Sequence, residues 1–168
     1  MLVRNDIEID YETLFAKYNY GLIAWSPLAG GFLTGKYLNG IDENELTRMT
    51  DKTMSFPLEV VKALFYSPHA TEKTINSLKE ISALAEAAGF KLLHLALAWA
   101  IKFVHLDSAL IGARTVVQLE DCLRALEYLE KLTPEFEAKV NKILGTTPAA
   151  RMNYLKWSPN PSMRPVEK

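Results

Sequence analysis

Residues 21–37 read GLIAWSPLAGGFLTGKY, an apolar run followed by a turn that is rich in glycine. The run has no alternation of polar and apolar side chains, and it stops at Pro27. This pattern predicts a short β-strand that is buried on both faces, as in a parallel sheet. The loop that follows, up to about residue 68, is long for a compact domain, which is typical of a functional segment.

The turn nearly matches the P-loop pattern, in which glycine, four residues, glycine and lysine precede a Ser or Thr. Gly30, Gly35 and Lys36 fit, but Tyr37 stands where the Mg²⁺-binding hydroxyl is needed. An Asn-Gly turn at residues 39–40 also occupies the place of the helix that should follow. An NTPase is therefore disfavoured, and a plain glycine-rich turn with a solvated lysine is the simpler alternative.

A second short apolar run, residues 108–113, predicts another strand, with Arg114 just beyond its glycine. The order strand, helices, strand, helix indicates an α/β fold with a parallel sheet. Thr115 and Gln118 have the spacing of a capping box at the start of a helix. A glycine and an arginine beside a helix N-terminus are equally typical of an anion site, and arginine suits a ribose phosphate, which favours NADP over NAD. The spacing leaves both interpretations open.

The remaining elements are predicted to be mainly helices. Asp10 is expected to cap a short helix through Lys17, and residues 58–65 have a weaker helical pattern. Four longer helices are expected. The first ends before Gly89, and the second covers residues 91–103 and is apolar nearly all round. The third has Leu119, Cys122, Leu123 and Leu126 on a single stripe, and the fourth runs from Thr133 to Gly145. Two parallel strands leave both sheet edges open, so a larger sheet is expected.

Composition narrows the class of protein. The 168 residues suit one domain, and 49% apolar with 23% charged residues is typical of a soluble globular protein. A formal charge of −1 without a basic run gives no electrostatic footprint for nucleic acid or an anionic membrane. Cys122 is the single cysteine, which fits a reducing, cytoplasmic location and predicts a small buried side chain rather than a nucleophile. The longest apolar stretch, residues 92–104, is too short to span a bilayer.

The histidines and other titratable residues give weaker evidence of function than the two glycine-containing turns. His69, His94 and His105 lie too far apart for a linear metal motif, and His94 is predicted to be a core histidine with one hydrogen bond. The sequence nominates no acid–base pair and no metal site.

Two motifs together resemble one family. WSPLAGGFLTGKY (residues 25–37) and SALIGARTVVQLED (residues 108–121) resemble the last two strand–loop units of the aldo-keto reductases, particularly the branch containing voltage-gated potassium channel β subunits. The resemblance covers roughly residues 5–144. It implies the C-terminal part of a (β/α)₈ TIM barrel, with NADP(H) bound across the carboxyl ends of the strands. Residues 1–145 would form this half-barrel, and residues 146–168 an extended tail that contains prolines.

The resemblance also implies which residues would meet the cofactor. The nicotinamide ribose and pyrophosphate would lie along Trp25, Ser26, Pro27, Leu28, Ala29 and Gly30, with Lys36 on the pyrophosphate and Arg48 as a further phosphate contact. The adenosine end would lie among Gly112, Ala113, Arg114, Gln118, Asp121 and Cys122. Asp121 and Cys122 depart from the usual glutamate and asparagine. Because a thiol is a weak hydrogen-bonding group, weaker binding of adenine is expected.

The family's catalytic tetrad of Asp, Tyr, Lys and His belongs to the first half of the barrel, and no segment of this sequence resembles that half. The chain is expected to begin within or just after the sixth strand and to be inactive alone. Two functions remain open: a truncated or split reductase, and a regulatory NADP(H)-binding module similar to a channel β subunit. The expected partners are a second copy or a complementing chain in the first case and a potassium channel α subunit in the second. Neither nucleic-acid binding nor membrane insertion is expected.

Overall fold

The computed structural model describes residues 1–53 and 57–149. Most of the predicted tail, residues 150–168, lies outside the described residues. The helices and strands are α1 (Glu12–Tyr18), β1 (Leu22–Trp25), α2 (Leu58–Phe65), α3 (Glu72–Ala87), α4 (Leu92–Ile101), β2 (Leu106–Leu110), α5 (Val116–Leu123) and α6 (Pro134–Leu144). A π-helical turn (Asp6–Asp10) precedes α1, and 3₁₀ segments cover Ala29–Thr34 and Arg124–Lys131.

The described residues form a two-stranded sheet in which β1 and β2 run parallel. Trp25 pairs with Leu110 at one end and Leu22 with Leu106 at the other. The prediction of two parallel strands is confirmed, although β2 begins two residues and ends three residues earlier than the apolar run suggests. Since both strands end at the same edge, the loops that follow them are neighbours.

The prediction that β1 is buried on both faces is wrong. Ile23 and Trp25 are 65% and 69% exposed, whereas Leu22 and Ala24, which alternate with them, are half-buried. The helices described here cover one face of the sheet, so the alternate side chains of β1 meet solvent. An unbroken apolar run does not distinguish a strand that is covered on both sides from one whose second face is open.

The core forms around α4, in which every residue from Leu92 to Ala98 is buried. Helix α3 adds Leu78, Ile81 and Ala85 to the same core. Helix α3 ends in a Schellman motif, since Phe90 N–H donates to Ala85 O at 3.1 Å and Gly89 has φ +85°. The predicted α3 and α4 are therefore confirmed.

Helix α6 begins and ends as predicted. Thr133 accepts a hydrogen bond from Phe136 N–H, Pro134 occupies the first turn, and Gly145 closes the helix with φ +62°. Each of these residues acts locally, since the cap satisfies a free N–H and glycine tolerates the left-handed conformation.

Two predicted helices differ from the structure. The N-cap of α1 is Tyr11, without a side-chain cap, and Asp10 belongs to the π-helical turn. The third long helix is also interrupted, because α5 ends at Leu123 and continues as a 3₁₀ segment. The expected stripe is not buried as a unit, since Leu119, Leu123 and Leu126 are 42–55% exposed.

Within residues 1–53 and 57–149, no single helix has the length and apolar character needed to cross a membrane. Helices α3 and α4 would meet those criteria only as a pair, and they meet at a bend of 91°.

Candidate functional site

The chain turns sharply as it leaves β1. Ser26 has φ +51°, and its carbonyl accepts a hydrogen bond from Ala29 N–H at 2.8 Å. Ala29, Gly30 and Gly31 follow with φ of +48°, +64° and +100°. Two non-glycine residues in the left-handed region cost about 1 kcal/mol or more each, and such strain is concentrated at functional sites.

Phe65, at the end of α2, is the point where several predicted site residues meet. Its ring centroid lies 5.5 Å from that of Trp25 and 5.6 Å from the guanidinium carbon of Arg48. A Cβ on Gly30 would lie only 2.6 Å from Phe65 Cβ, so the close approach requires glycine. The structure thus brings Trp25, Gly30 and Arg48 together. Phe65 could not be predicted as a site residue, since only the apolar pattern of its helix marks it in the sequence.

Lys36 is exposed, and its Nζ lies 5.0 Å from the centroid of the neighbouring Tyr37 ring. Its aliphatic chain lies against Gly31, where a Cβ would come within 2.9 Å of Lys36 Cε. Tyr37 itself is 2% exposed and packs edge-on against Tyr66. Its hydroxyl is buried without a hydrogen-bond partner among the described residues.

The turn after β2 presents a second group of predicted site residues, which are exposed: Gly112, Ala113, Arg114 and Gln118. Thr115 Oγ1 accepts a hydrogen bond from Gln118 N–H at 3.2 Å, and Gln118 Oε1 accepts from Arg114 N–H at 2.9 Å. The cap is reciprocal but reaches one residue further back than a standard capping box. A Cβ on Gly112 would have no neighbour within 4 Å. The capping role of Thr115 and Gln118 is confirmed. Because the cap uses only the backbone N–H of Arg114, the side chain of this arginine remains available for other contacts.

The two loops are joined by an ion pair between Arg114 and Asp51. Arg114 Nη2 donates to Asp51 Oδ2, and the other oxygen, Oδ1, accepts from Thr53 N–H at 2.9 Å and Thr53 Oγ1 at 2.6 Å. Asp51 is 8% exposed. The hydrogen bonds from Thr53, and then the contact with Arg114, lower the pKa of the Asp51 carboxyl. The carboxylate is therefore negatively charged at neutral pH.

Asp121 lies in α5, and its carboxylate contacts two residues at the start of α4. Its two carboxylate oxygens lie 2.8 Å from Lys91 Nζ and 3.0 Å from His94 Nε2. The hydrogen bond from Lys91, followed by that from His94, lowers the pKa of Asp121. Because His94 Nδ1 also accepts from Lys91 N–H, the buried ring makes two hydrogen bonds rather than the one expected.

Cys122 is half-buried beside Leu93, Leu97 and Ala125. Burial, and then the negative charge of Asp121, raise the pKa of its thiol. The side chain is therefore a neutral thiol at pH 7. It packs among apolar side chains as predicted, but it is half-buried rather than buried.

The residues present fit an anionic ligand that approaches this edge of the sheet. Lys36, Arg48 and Arg114 supply positive charge, a glycine allows close approach at residue 30, and Asp51 is the buried acidic neighbour. In the described ranges, no three His, Cys, Asp or Glu side chains are grouped so that they could hold a metal ion.

Comparison with known proteins identifies the family. Residues 2–144 match the model of the aldo/keto reductase family, so this chain belongs to that family. Within it, the chain is placed in the branch similar to potassium channel β subunits. It is 33% identical over 147 residues to a protein of Schizosaccharomyces pombe described as "Putative voltage-gated potassium channel subunit beta". That match covers 88% of this chain but 40% of the relative's length. The family implies a TIM barrel, and the two parallel strands of the described residues are consistent with part of such a barrel.

Proposed function

We propose that this chain binds NADP(H) along the edge of the sheet where β1 and β2 end, as the cofactor-binding part of an aldo-keto reductase-like oxidoreductase located in the cytoplasm. The observation that carries the proposal is the parallel pairing of the two strands, which makes their following loops neighbours. One loop bears Lys36 and the other Arg114, and the second is linked to the first through Asp51.

Each loop has a different task in this proposal. The strained turn from Ser26 to Gly30 lets the backbone approach the nicotinamide ribose and the pyrophosphate, and the flexible ammonium of Lys36 neutralises the pyrophosphate. The planar guanidinium of Arg114 meets the ribose phosphate at the start of α5, where the helix dipole also favours an anion. Arg48 stacks on Phe65 and faces the same ligand.

Two other predicted residues, Asp121 and Cys122, have a supporting role in this proposal. The Asp121 carboxylate already holds Lys91 and His94, and the Cys122 thiol packs among leucines. We expect them to shape the adenine pocket through the position of α5 rather than through strong hydrogen bonds to the base. NADPH affinity should then depend more on the phosphates than on adenine.

When bound, NADPH supplies the hydride for carbonyl reduction, while a proton must come from an acid held beside the carbonyl oxygen. In this proposal neither Asp51 nor Asp121 is that acid, since the partners of each carboxyl lower its pKa and favour the carboxylate. We expect the remainder of the barrel, on this or another polypeptide, to provide it and to cover Ile23 and Trp25.

NADPH titration by fluorescence tests the site. Arg114→Ala should weaken binding about tenfold, the scale of one lost charge-assisted phosphate contact of 1–2 kcal/mol. Arg124→Ala is the matched control, because Arg124 lies in the 3₁₀ segment beside Glu127 and Tyr128. Equal affinity of both variants and the wild type would remove Arg114 from the site, and no binding by the wild type would overturn the proposed function.

A second candidate function is a regulatory NADP(H)-binding module that associates with a potassium channel α subunit and has no turnover. The observation that favours it is the description of the S. pombe relative as a channel β subunit. NADPH oxidation with a panel of aldehydes, at high protein concentration, separates the two functions. Turnover that a complementing first-half chain supplies would favour the reductase, whereas binding to a channel cytoplasmic domain without turnover would favour the module.

A further inference from the structure

Asp51 places a negative charge where the proposed ribose-phosphate contact is made. Its carboxylate is buried, and both oxygens are engaged: Oδ1 by Thr53 and Oδ2 by Arg114. Three hydrogen bonds from two residues fix the position of the carboxylate. The charge therefore cannot swing away from Arg114 without breaking contacts with Thr53.

Arg114 is much more exposed to solvent than its ion-pair partner, Asp51. Its side chain is 45% exposed, whereas that of Asp51 is 10% exposed. The guanidinium therefore has one side on the carboxylate and another side open to solvent. Since a guanidinium carries five N–H donors in a planar fork, it can bind a second anion while it keeps the first.

A phosphate that reached the open side of Arg114 would share one cation with the Asp51 carboxylate. At neutral pH a ribose 2′-phosphate carries nearly two negative charges, and Arg114 would attract it less strongly because Asp51 already neutralises part of the positive charge of the guanidinium. NAD(H) has a hydroxyl at this position, so its binding would depend little on the charge of Arg114. Asp51 thus acts selectively against the phosphorylated cofactor.

We infer that Asp51 is a specificity-determining residue that reduces the preference of this chain for NADP(H) over NAD(H) by competing with the 2′-phosphate for Arg114. The inference rests on the proposed function. It goes beyond it because Asp51 would oppose the phosphate contact while it ties the loop of β1 to the turn of β2.

The test compares dissociation constants of NADPH, NADH and 2′,5′-ADP, measured by fluorescence and calorimetry, for the wild type and Asp51→Asn. Asparagine keeps an oxygen for Thr53 but carries no charge. The NADPH and 2′,5′-ADP constants should fall about three- to fivefold, as for the loss of one partly exposed charge interaction, while the NADH constant changes less than twofold. Glu45→Gln removes the same charge from an exposed position in the same loop and should change none of them.

A rise in the NADPH constant of Asp51→Asn would overturn the inference, since it would mean that Asp51 orients Arg114 for the phosphate. An unchanged ratio of the NADPH and NADH constants would overturn it as well. Asp51→Ser serves as a second variant with the same expected ratio if the asparagine variant unfolds. Absence of binding to all three ligands by the wild type would reject the proposed function instead, so the two failures are distinguishable.

The competition should also depend on the arginine. In an Arg114→Gln background, Asp51→Asn should change the NADPH constant less than twofold, because the shared cation is gone. A threefold or larger effect that persisted without Arg114 would show that Asp51 acts through another route and would contradict the inference.

Discussion

The hydroxyl of Tyr37 provides a sharp test of the packing around the candidate site. The side chain is 2% exposed, and its hydroxyl has no partner among the described residues. A buried hydroxyl without a hydrogen bond costs about 1–3 kcal/mol, since it has lost its water. Tyr37→Phe removes this group and keeps the ring against Tyr66, whose centroid is 6.0 Å away. We therefore expect the free energy of unfolding to rise by about 1 kcal/mol.

Tyr128→Phe is the matched control, because Tyr128 is also buried but accepts a hydrogen bond from Arg124 Nη2 at 3.2 Å. Its loss should lower the free energy of unfolding by roughly 0.5–1.5 kcal/mol. The same chemical change thus has opposite signs at the two positions.

Urea denaturation of the ligand-free chain, followed by circular dichroism, measures both effects. With an m-value of about 2 kcal/mol/M, the Tyr37→Phe midpoint should rise by about 0.5 M. A midpoint that fell by 0.25 M or more would refute the reasoning, since it would show that the Tyr37 hydroxyl makes a stabilising hydrogen bond. A changed m-value would indicate that the denatured or native state had changed in compactness.

Two further predictions concern a glycine and a carboxylate. Gly89→Ala should lower the free energy of unfolding by about 1 kcal/mol in the same assay because Gly89 has φ +85°. Gly112→Ala should change it by less than about 0.5 kcal/mol, because an added Cβ would have no neighbour within 4 Å and Gly112 has no positive φ. Equal effects would contradict the backbone argument. Lys91 and His94 lower the pKa of the Asp121 carboxyl in the folded state below its ordinary value of 3.8. The ionised carboxyl therefore stabilises the fold above pH 3.8, and this stabilisation is lost as the pH falls from 3.8 through the lowered pKa. Asp121→Asn should reduce the dependence of the urea midpoint on pH between pH 5 and the acid limit of folding, and an unchanged slope would exclude the interaction.

The elements that the sequence predicts well are those determined by nearby residues. Helix α6 is an example, because Thr133, Pro134 and Gly145 each act within one turn of the helix. The parallel pairing of the strands was also predictable, because the order of strands and helices restricts the topology. By contrast, the exposure of Ile23 depends on which elements cover the sheet, and an apolar strand carries no signal for that.

In the candidate site, too, features formed by neighbouring residues could be predicted from the sequence, whereas contacts between distant residues could not. The glycine-rich turn and the Arg114 turn could be found from the sequence because their residues are contiguous. The ion pair of Arg114 with Asp51 could not, since the two residues are separated by 63 positions. The contacts of Asp121 with Lys91 and His94 span 30 and 27 positions, so only the fold brings them together. Partners of this kind decide whether a predicted site residue is free to bind a ligand.

The exposure of Trp25 at the end of β1 makes this residue a natural optical reporter. Its indole lies beside the turn proposed to receive the cofactor, and it is 69% exposed, whereas Trp99 is half-buried under the guanidinium of Arg4. Indole emission moves to shorter wavelengths when water is excluded, so covering this face of the sheet shifts the spectrum of Trp25 more than that of Trp99. The same indole can transfer excitation energy to a reduced nicotinamide nearby. Assembly of the sheet and arrival of the cofactor are thus both observable with an intrinsic chromophore and without an attached label.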